Sequence, residues 1–272
     1  MTGLRRLIER RAFLRATASL SVWVSMIPPV RADGEPARLL VIGDSQAQGL
    51  AGGVQRLLRR DRSIRVLDRT KIGTGLVSPR AYDWTAAVRT LAASEHADVA
   101  LVMFGANDRP PVHGGDGTVI PGLSLAFTQS YGARVREIVQ TLREAGIPVI
   151  WVGHPTVRDP RYADDMAMLN RIFADAATTA GADYVPIWDL FASDGKYQPY
   201  GKGVDGETTR LRADDGVHLT PAGYDVLAVY LLPHIQSDLR ARTERTVRAA
   251  PVQPVRHETE AVKSTGAAVA DH

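Results

Sequence analysis

Three short islands of this chain hold the residue types of an acyl-transfer site: Gly43-Asp44-Ser45, Gly105-Ala106-Asn107-Asp108 and Asp215-Gly216-Val217-His218. A serine hydroxyl becomes a nucleophile when a base takes its proton, a carboxylate orients that base, and N–H donors stand where the oxyanion forms. Ser45, His218, Asp215 and Asn107 are the residues of those types. No island is specific alone, because Gly-Asp-Ser and Asp-x-x-His recur widely. The weight lies in having all three in this order beside apparent strand ends.

The last island has a local logic. Asp215 stands three residues before His218, and a turn through Gly216 returns its carboxylate to the imidazole Nδ1, leaving Nε2 to face Ser45. Asp214 stands beside it, but the three-residue spacing selects Asp215 and leaves Asp214 to solvent or the loop. Thr220-Pro221-Ala222-Gly223 then opens a helix, with proline at a favoured first-turn position.

Taken together, these motifs resemble the SGNH (GDSL-like) hydrolases, in a bacterial exported branch, over about Arg38 to His234. The resemblance implies a serine esterase that works through an acyl-enzyme, with Ser45, His218 and Asp215 as catalytic residues and no cofactor or metal. It assigns the Asn107 side chain to the oxyanion hole, together with the backbone N–H groups of Ser45 and of a glycine after the second strand. Lys71-Ile72-Gly73-Thr74-Gly75-Leu76 offers two such glycines. The Thr-Gly-Leu context, followed by Pro79 and Tyr82-Asp83-Trp84, favours Gly75, and Gly73 stays open. Asp44 and His154, the latter in Gly153-His154-Pro155, are candidate substrate contacts. His113 and Asp116 lie in a Gly-rich loop suited to a lid, with no metal-like spacing. Trp84, Trp151 and Trp188 read as core or cleft wall, with sugar stacking as a lesser role for one of them.

Positioning these residues requires strands alternating with helices. The short apolar run Arg38–Gly43 has the profile of a strand buried on both faces, and Ser63–Leu67, Ala97–Phe104, Ile147–Val152 and Asp183–Ile187 read as four further strands. Helical patterns fall at Gln48–Arg60, Trp84–Ser94, Leu125–Ala145, Asp164–Ala180 and Pro221 to about His234. The alternation predicts a three-layer α/β/α sandwich around a parallel sheet of about five strands, flavodoxin-like as in the SGNH hydrolase fold. Ser45 and Asn107 then follow the first and third strands, at the carboxyl edge where open α/β sheets place ligands. The long loops at 105–123 and 189–217 read as site-building insertions.

The two ends read as peripheral. Arg10-Arg11-Ala12-Phe13-Leu14-Arg15 and the mildly apolar run to Ile27 resemble a twin-arginine export signal, with cleavage expected after Ala32. That run is too short and too rich in Ser and Thr for a membrane span, and without cysteine there is no lipobox. The reading divides the chain into a signal at 1–32, a hydrolase domain at 33–245 and a flexible tail at 246–272.

Residues 1–32 hold six arginines and one glutamate; of the whole chain's 33 basic and 30 acidic residues, 27 and 29 remain beyond them. The basic excess therefore lies in the leader, which removes the ground for a nucleic-acid partner. Zero cysteines exclude disulfides and thiolate chemistry. The expected partners are the export machinery and a small-molecule or glycan ester, with periplasmic residence and no stable membrane anchor after cleavage. Interception of the acyl-enzyme by a sugar hydroxyl would make the same machinery an O-acyltransferase. A glycan-binding protein that kept the fold without turnover is the rival from another class.

Overall fold

The computed structural model describes residues 34–109, 112–113, 117–120 and 124–249. The expected signal at 1–32, Asp116 and the tail from residue 250 lie outside them. Five strands form the sheet: β1 (Ala37–Gly43), β2 (Ile64–Asp68), β3 (Val99–Met103), β4 (Val149–Val152) and β5 (Asp183–Val185). Every neighbouring pair is parallel, and the order is β2-β1-β3-β4-β5. This is the flavodoxin-like order, in which ligands sit at the strands' carboxyl edge, near β1 and β3, where the winding reverses.

Alternation along the strands divides the core. Leu40, Ile42, Ala100, Val102 and Trp151 pack beneath helices α2 (Trp84–Ser94), α3 (Leu125–Glu144) and α4 (Pro160–Thr179). Leu39, Val41, Val99, Leu101, Met103 and Ile150 pack beneath α1 (Ser45–Leu57) and α5 (Pro221–Ala249). Both faces of the sheet are therefore covered, which is why its central strands read as apolar runs, while the edge strands carry exposed Arg65 and Asp183.

Three helix boundaries lie furthest from the sequence expectation, and α1 also ends at Leu57, three residues before the expected Arg60. Helix α1 starts at Ser45, because the Asp44 carboxylate caps it by accepting from Gln46 N at 2.9 Å. Helix α4 starts at Pro160, with Asp159 as its cap and proline in the first turn, four residues before the apolar pattern begins. Helix α5 runs fifteen residues past His234, to Ala249, with Pro233 inside it. Its buried stripe continues through Leu227, Leu231, Ile235 and Leu239, one residue per turn. Beyond the stripe, Arg242 bonds Gly146 O at 2.6 Å and pairs with Asp98 at 2.9 Å. The helix thus passes the expected boundary at 245, and residues 246–249 belong to it.

The two long loops fold into short antiparallel hairpins. Val112–His113 pairs with Val119–Ile120, Ala192–Ser193 with Lys196–Tyr197, and Tyr200–Lys202 with Thr208–Arg210. A bridge between Arg212 and Leu219 closes the turn that carries Asp215 and His218. None of the described helices is long and apolar enough to cross a membrane.

Candidate active site

The end of β1 sets the position of Ser45. Gly43 has φ +140, and a Cβ there would lie 1.9 Å from the Met103 carbonyl oxygen, so only glycine lets β1 turn this tightly against β3. Asp44 then caps α1 and Ser45 becomes its first residue, where first-turn N–H groups lack intrahelical partners. Helix α1 lies close against α5 because Gly49 and Gly53 give room to Tyr224, whose hydroxyl donates to Gln46 Oε1 at 2.9 Å.

Ser45 Oγ lies 2.8 Å from His218 Nε2, and His218 Nδ1 lies 2.6 Å from Asp215 Oδ2. The other Asp215 oxygen accepts from Val217 N at 2.8 Å and His218 N at 2.9 Å, so the carboxylate is fixed by the backbone it serves. A carboxylate on Nδ1 places the imidazole proton there, leaving Nε2 to accept the Ser45 O–H. Partial burial pulls the Asp215 pKa upward, but the hydrogen bonds from Val217 and His218 outweigh it and hold it at about 2. Asp215 is thus ionised at neutral pH. Asp214 points outward, 90% exposed, and pairs with Arg210.

The second strand-end loop is fastened to the third. Asn107 Nδ2 donates to Thr74 O at 2.9 Å, and Asp108 Oδ1 accepts from Leu76 N and Val77 N. Gly75 lies between these attachments, and a Cβ on it would fall 2.1 Å from Asp108 Oδ1. Gly73 has φ +70 and open space around it. The two glycines therefore have different reasons to be glycine: close approach at 75, left-handed backbone at 73. Trp84 steadies the same loop, donating from Nε1 to Thr74 Oγ1 at 2.9 Å.

Two of the expected site residues are not substrate contacts. Asp44 is 0% exposed. Its oxygens accept from Gln46 N and, at 3.2 Å, from Ala106 N, so it ties the first island to the second. Burial, with the charge of Asp108 added, raises its pKa to about 7. His154 is also 0% exposed, its Nδ1–H donating to Pro155 O at 2.9 Å, and burial lowers its pKa to about 4. A cap and a core histidine have the same sequence signature as a cleft residue, so the misreading is a matter of burial. Trp84 and Trp151 are core, and Trp188 is half-buried with its Nε1 on Gly195 O.

Several residues that shape the site escaped the sequence reading. Gln46 is fully buried and donates from Nε2 to Val217 O at 2.8 Å. The same carbonyl accepts from Arg212 Nη2 at 3.1 Å. Asp108 is fully buried and also receives the Tyr131 hydroxyl at 2.7 Å; burial raises its pKa to about 6. Among the described residues, no group of three or more His, Cys, Asp or Glu could hold a metal ion.

A family described as "Protein of unknown function (DUF459)" matches residues 38–234, which include all three islands and the whole sheet but for one residue of β1. The chain belongs to the DUF459 family. No curated protein matches it.

Solved structures show how this DUF459 chain is built. A candidate SGNH hydrolase from Slackia heliotrinireducens is 20% identical, with TM-score 0.51, over 74% of this chain and all of the other. A catalytic mutant of an acetylxylan esterase from Geobacillus stearothermophilus is 18% identical, with TM-score 0.52, over 74% and 94% of the two chains. The periplasmic domain of a lipopolysaccharide acetyltransferase from Salmonella ser. Paratyphi A is 14% identical, with TM-score 0.53, over 74% and 84%. The DUF459 chain therefore has the SGNH hydrolase fold.

Proposed function

We propose that this protein is an exported serine esterase that removes an acyl group, an acetyl group above all, from a carbohydrate or glycan hydroxyl. The observation that carries the reading is the continuous relay from Ser45 Oγ through His218 to Asp215, at 2.8 and 2.6 Å. In the forward step Ser45 Oγ bonds to the ester carbonyl carbon as its proton passes to His218 Nε2. The oxyanion forms against the N–H of Ser45, the N–H of Gly75 and the Asn107 carboxamide. Collapse of this adduct breaks the bond to the alcohol oxygen, which leaves with the proton from His218. Water, deprotonated by the same imidazole, then releases the acid and regenerates Ser45.

Gly75 is favoured over Gly73 because attachments to Asn107 and Asp108 immobilise its loop on both sides. Periplasmic residence through a twin-arginine signal rests on Arg10-Arg11 and the run that follows. A sugar hydroxyl in place of water would make the reaction acyl transfer, and an acetyltransferase domain of the same fold lends that second reading support.

The test is hydrolysis of p-nitrophenyl acetate by the purified chain and by Ser45→Ala, with fluorophosphonate labelling of both. Labelling of wild type alone, with turnover lost in the variant, is the expected result. Absence of labelling in wild type, with equal slow hydrolysis by both, would leave a binding protein on a hydrolase fold.

A further inference from the structure

Two guanidinium groups flank the turn that carries Asp215 and His218, and neither pairs with a carboxylate among the described residues. Arg158, at the end of the loop that leaves β4, donates from Nη1 to Asp214 O at 2.8 Å and from its backbone N–H to Gly216 O at 2.9 Å. Gly216, at φ +76, lies so close that a Cβ on it would fall 2.6 Å from Arg158 Cβ. Arg212 holds Val217 O of the same turn and is 0% exposed, with Nε and Nη1 lacking hydrogen-bond partners. Both stand over one ring: Arg212 Cζ is 4.7 Å and Arg158 Cζ 5.5 Å from the Tyr197 centroid. Elsewhere on the surface Arg56 pairs with Asp225 and Arg109 with Asp165.

The Asp215 charge on the same turn offsets part of the repulsion at Arg212, but among the described residues no carboxylate pairs with Arg158, which leaves that guanidinium to take a counter-charge from outside. Arg158 can meet one, since its side chain is exposed. Of its five N–H donors, one is committed to Asp214 O and a second reaches Tyr197 Oη at 3.4 Å. Arg212 cannot touch a ligand, but its buried charge adds to the field.

The chemistry of the proposed reaction fixes which part of the substrate lies here. His218 Nε2 must reach both Ser45 Oγ and the departing alcohol oxygen, so the alcohol portion lies on the His218 side. The carbonyl oxygen points the other way, to Gly75 and Asn107. Resting on the esterase reading above, we infer that Arg158, beside Tyr197 and backed by Arg212, binds an anionic group on the alcohol portion of the ester, a carboxylate or a phosphate on the sugar.

The experiment compares three mono-O-acetyl esters with acetate at the same ring position: a methyl glucoside, the matching methyl glucuronoside and the matching glucoside 6-phosphate. Charge-assisted hydrogen bonds of this kind give an anionic-to-neutral ratio of kcat/KM of about ten to a hundred. Whichever anion shows the larger ratio is the favoured source. Arg158→Gln brings the ratio to about one, and Arg158→Lys keeps part of it. A wild-type ratio near one, or an Arg158→Gln variant with the ratio intact, overturns the inference. If no ester turns over and Ser45 resists fluorophosphonate, it is the esterase reading that has failed. The anion site is then read directly by titrating the methyl glucuronoside and the glucoside 6-phosphate into Ser45→Ala and Ser45→Ala/Arg158→Gln. Binding that is absent, or equal in both, overturns it.

Discussion

Gln46 Nε2 donates to the carbonyl oxygen of Val217 at 2.8 Å, joining the residue after Ser45 to the residue before His218. The two partners are 171 positions apart in the chain. One buried carboxamide thus links the helix that carries the hydroxyl to the turn that carries the imidazole. Its other end is held by the Tyr224 hydroxyl, so α5 braces the same contact. The 2.8 Å approach of Ser45 to His218 is therefore a property of three elements held together, and it does not depend on the turn alone.

Replacing Gln46 with Met keeps the volume and removes both polar contacts. Val217 O retains Arg212, so the turn keeps its shape, but its distance from α1 is no longer set. We expect kcat to fall about tenfold with KM nearly unchanged, because a misplacement of this size acts on alignment more than on binding. Steady-state kinetics on an acetyl ester, with circular dichroism to verify folding, decide the matter. A change in KM alone would show that Gln46 does not position the pair.

The glycine ambiguity has a kinetic resolution. In Gly75→Ala the new methyl group would sit 2.1 Å from a buried carboxylate oxygen, so the loop must move off Asp108. If Gly75 N–H is an oxyanion donor, kcat drops by about a hundredfold or more. Gly73→Ala meets open space and suffers only its left-handed backbone, a stability loss of roughly 1 kcal/mol. Thermal melts and kinetics on the two variants separate these effects. Equal losses of kcat in both would assign no special role to Gly75.

Asp215→Asn keeps the size of the side chain but puts an amide against His218 Nδ1. The imidazole then has no acceptor to hold its proton at Nδ1, and the wrong tautomer faces Ser45. A loss of about three to four orders of magnitude in kcat is expected, with little change in stability beyond about 1 kcal/mol. Asp214→Asn, which alters only an exposed pair with Arg210, leaves kcat within about twofold. The reverse pattern would make Asp214 the orienting carboxylate.

What the sequence made legible and what it hid divide along a physical line. The three central strands could be read because burial on both faces leaves an apolar run, while the edge strands, with Arg65 and Asp183 exposed, were read from shorter apolar stretches; Ser45 and Asn107 could be placed because each follows a central run. The start of α4 was hidden by relying on apolar spacing, although Asp159-Pro160 carries a cap and first-turn signal of its own. Asp44 and His154 look like cleft residues until their zero exposure is known. Gln46, Arg212 and Tyr131 act through partners supplied by the fold, and no local pattern announces a carbonyl 171 residues away.

His154 gives a test of the buried side of the site through pH. Its Nδ1–H is held by Pro155 O at a position with no surface exposure, and burial lowers its pKa from 6.5 to about 4. The folded protein therefore keeps this ring neutral at pH values where the unfolded chain protonates it. The stability this contributes is fully present above pH 6.5 and is lost as pH falls toward 4, on the order of 3 kcal/mol in all. Asp44 and Asp108, raised to about 7 and about 6, act with the opposite sign over the same window, so the wild-type profile alone does not isolate the histidine. The difference between wild type and His154→Gln does isolate it. Urea unfolding at pH 7 and at pH 4.5 should show wild type losing its advantage over the variant as the pH drops. A difference that stays constant would mean that His154 remains neutral in both states or protonates equally in both.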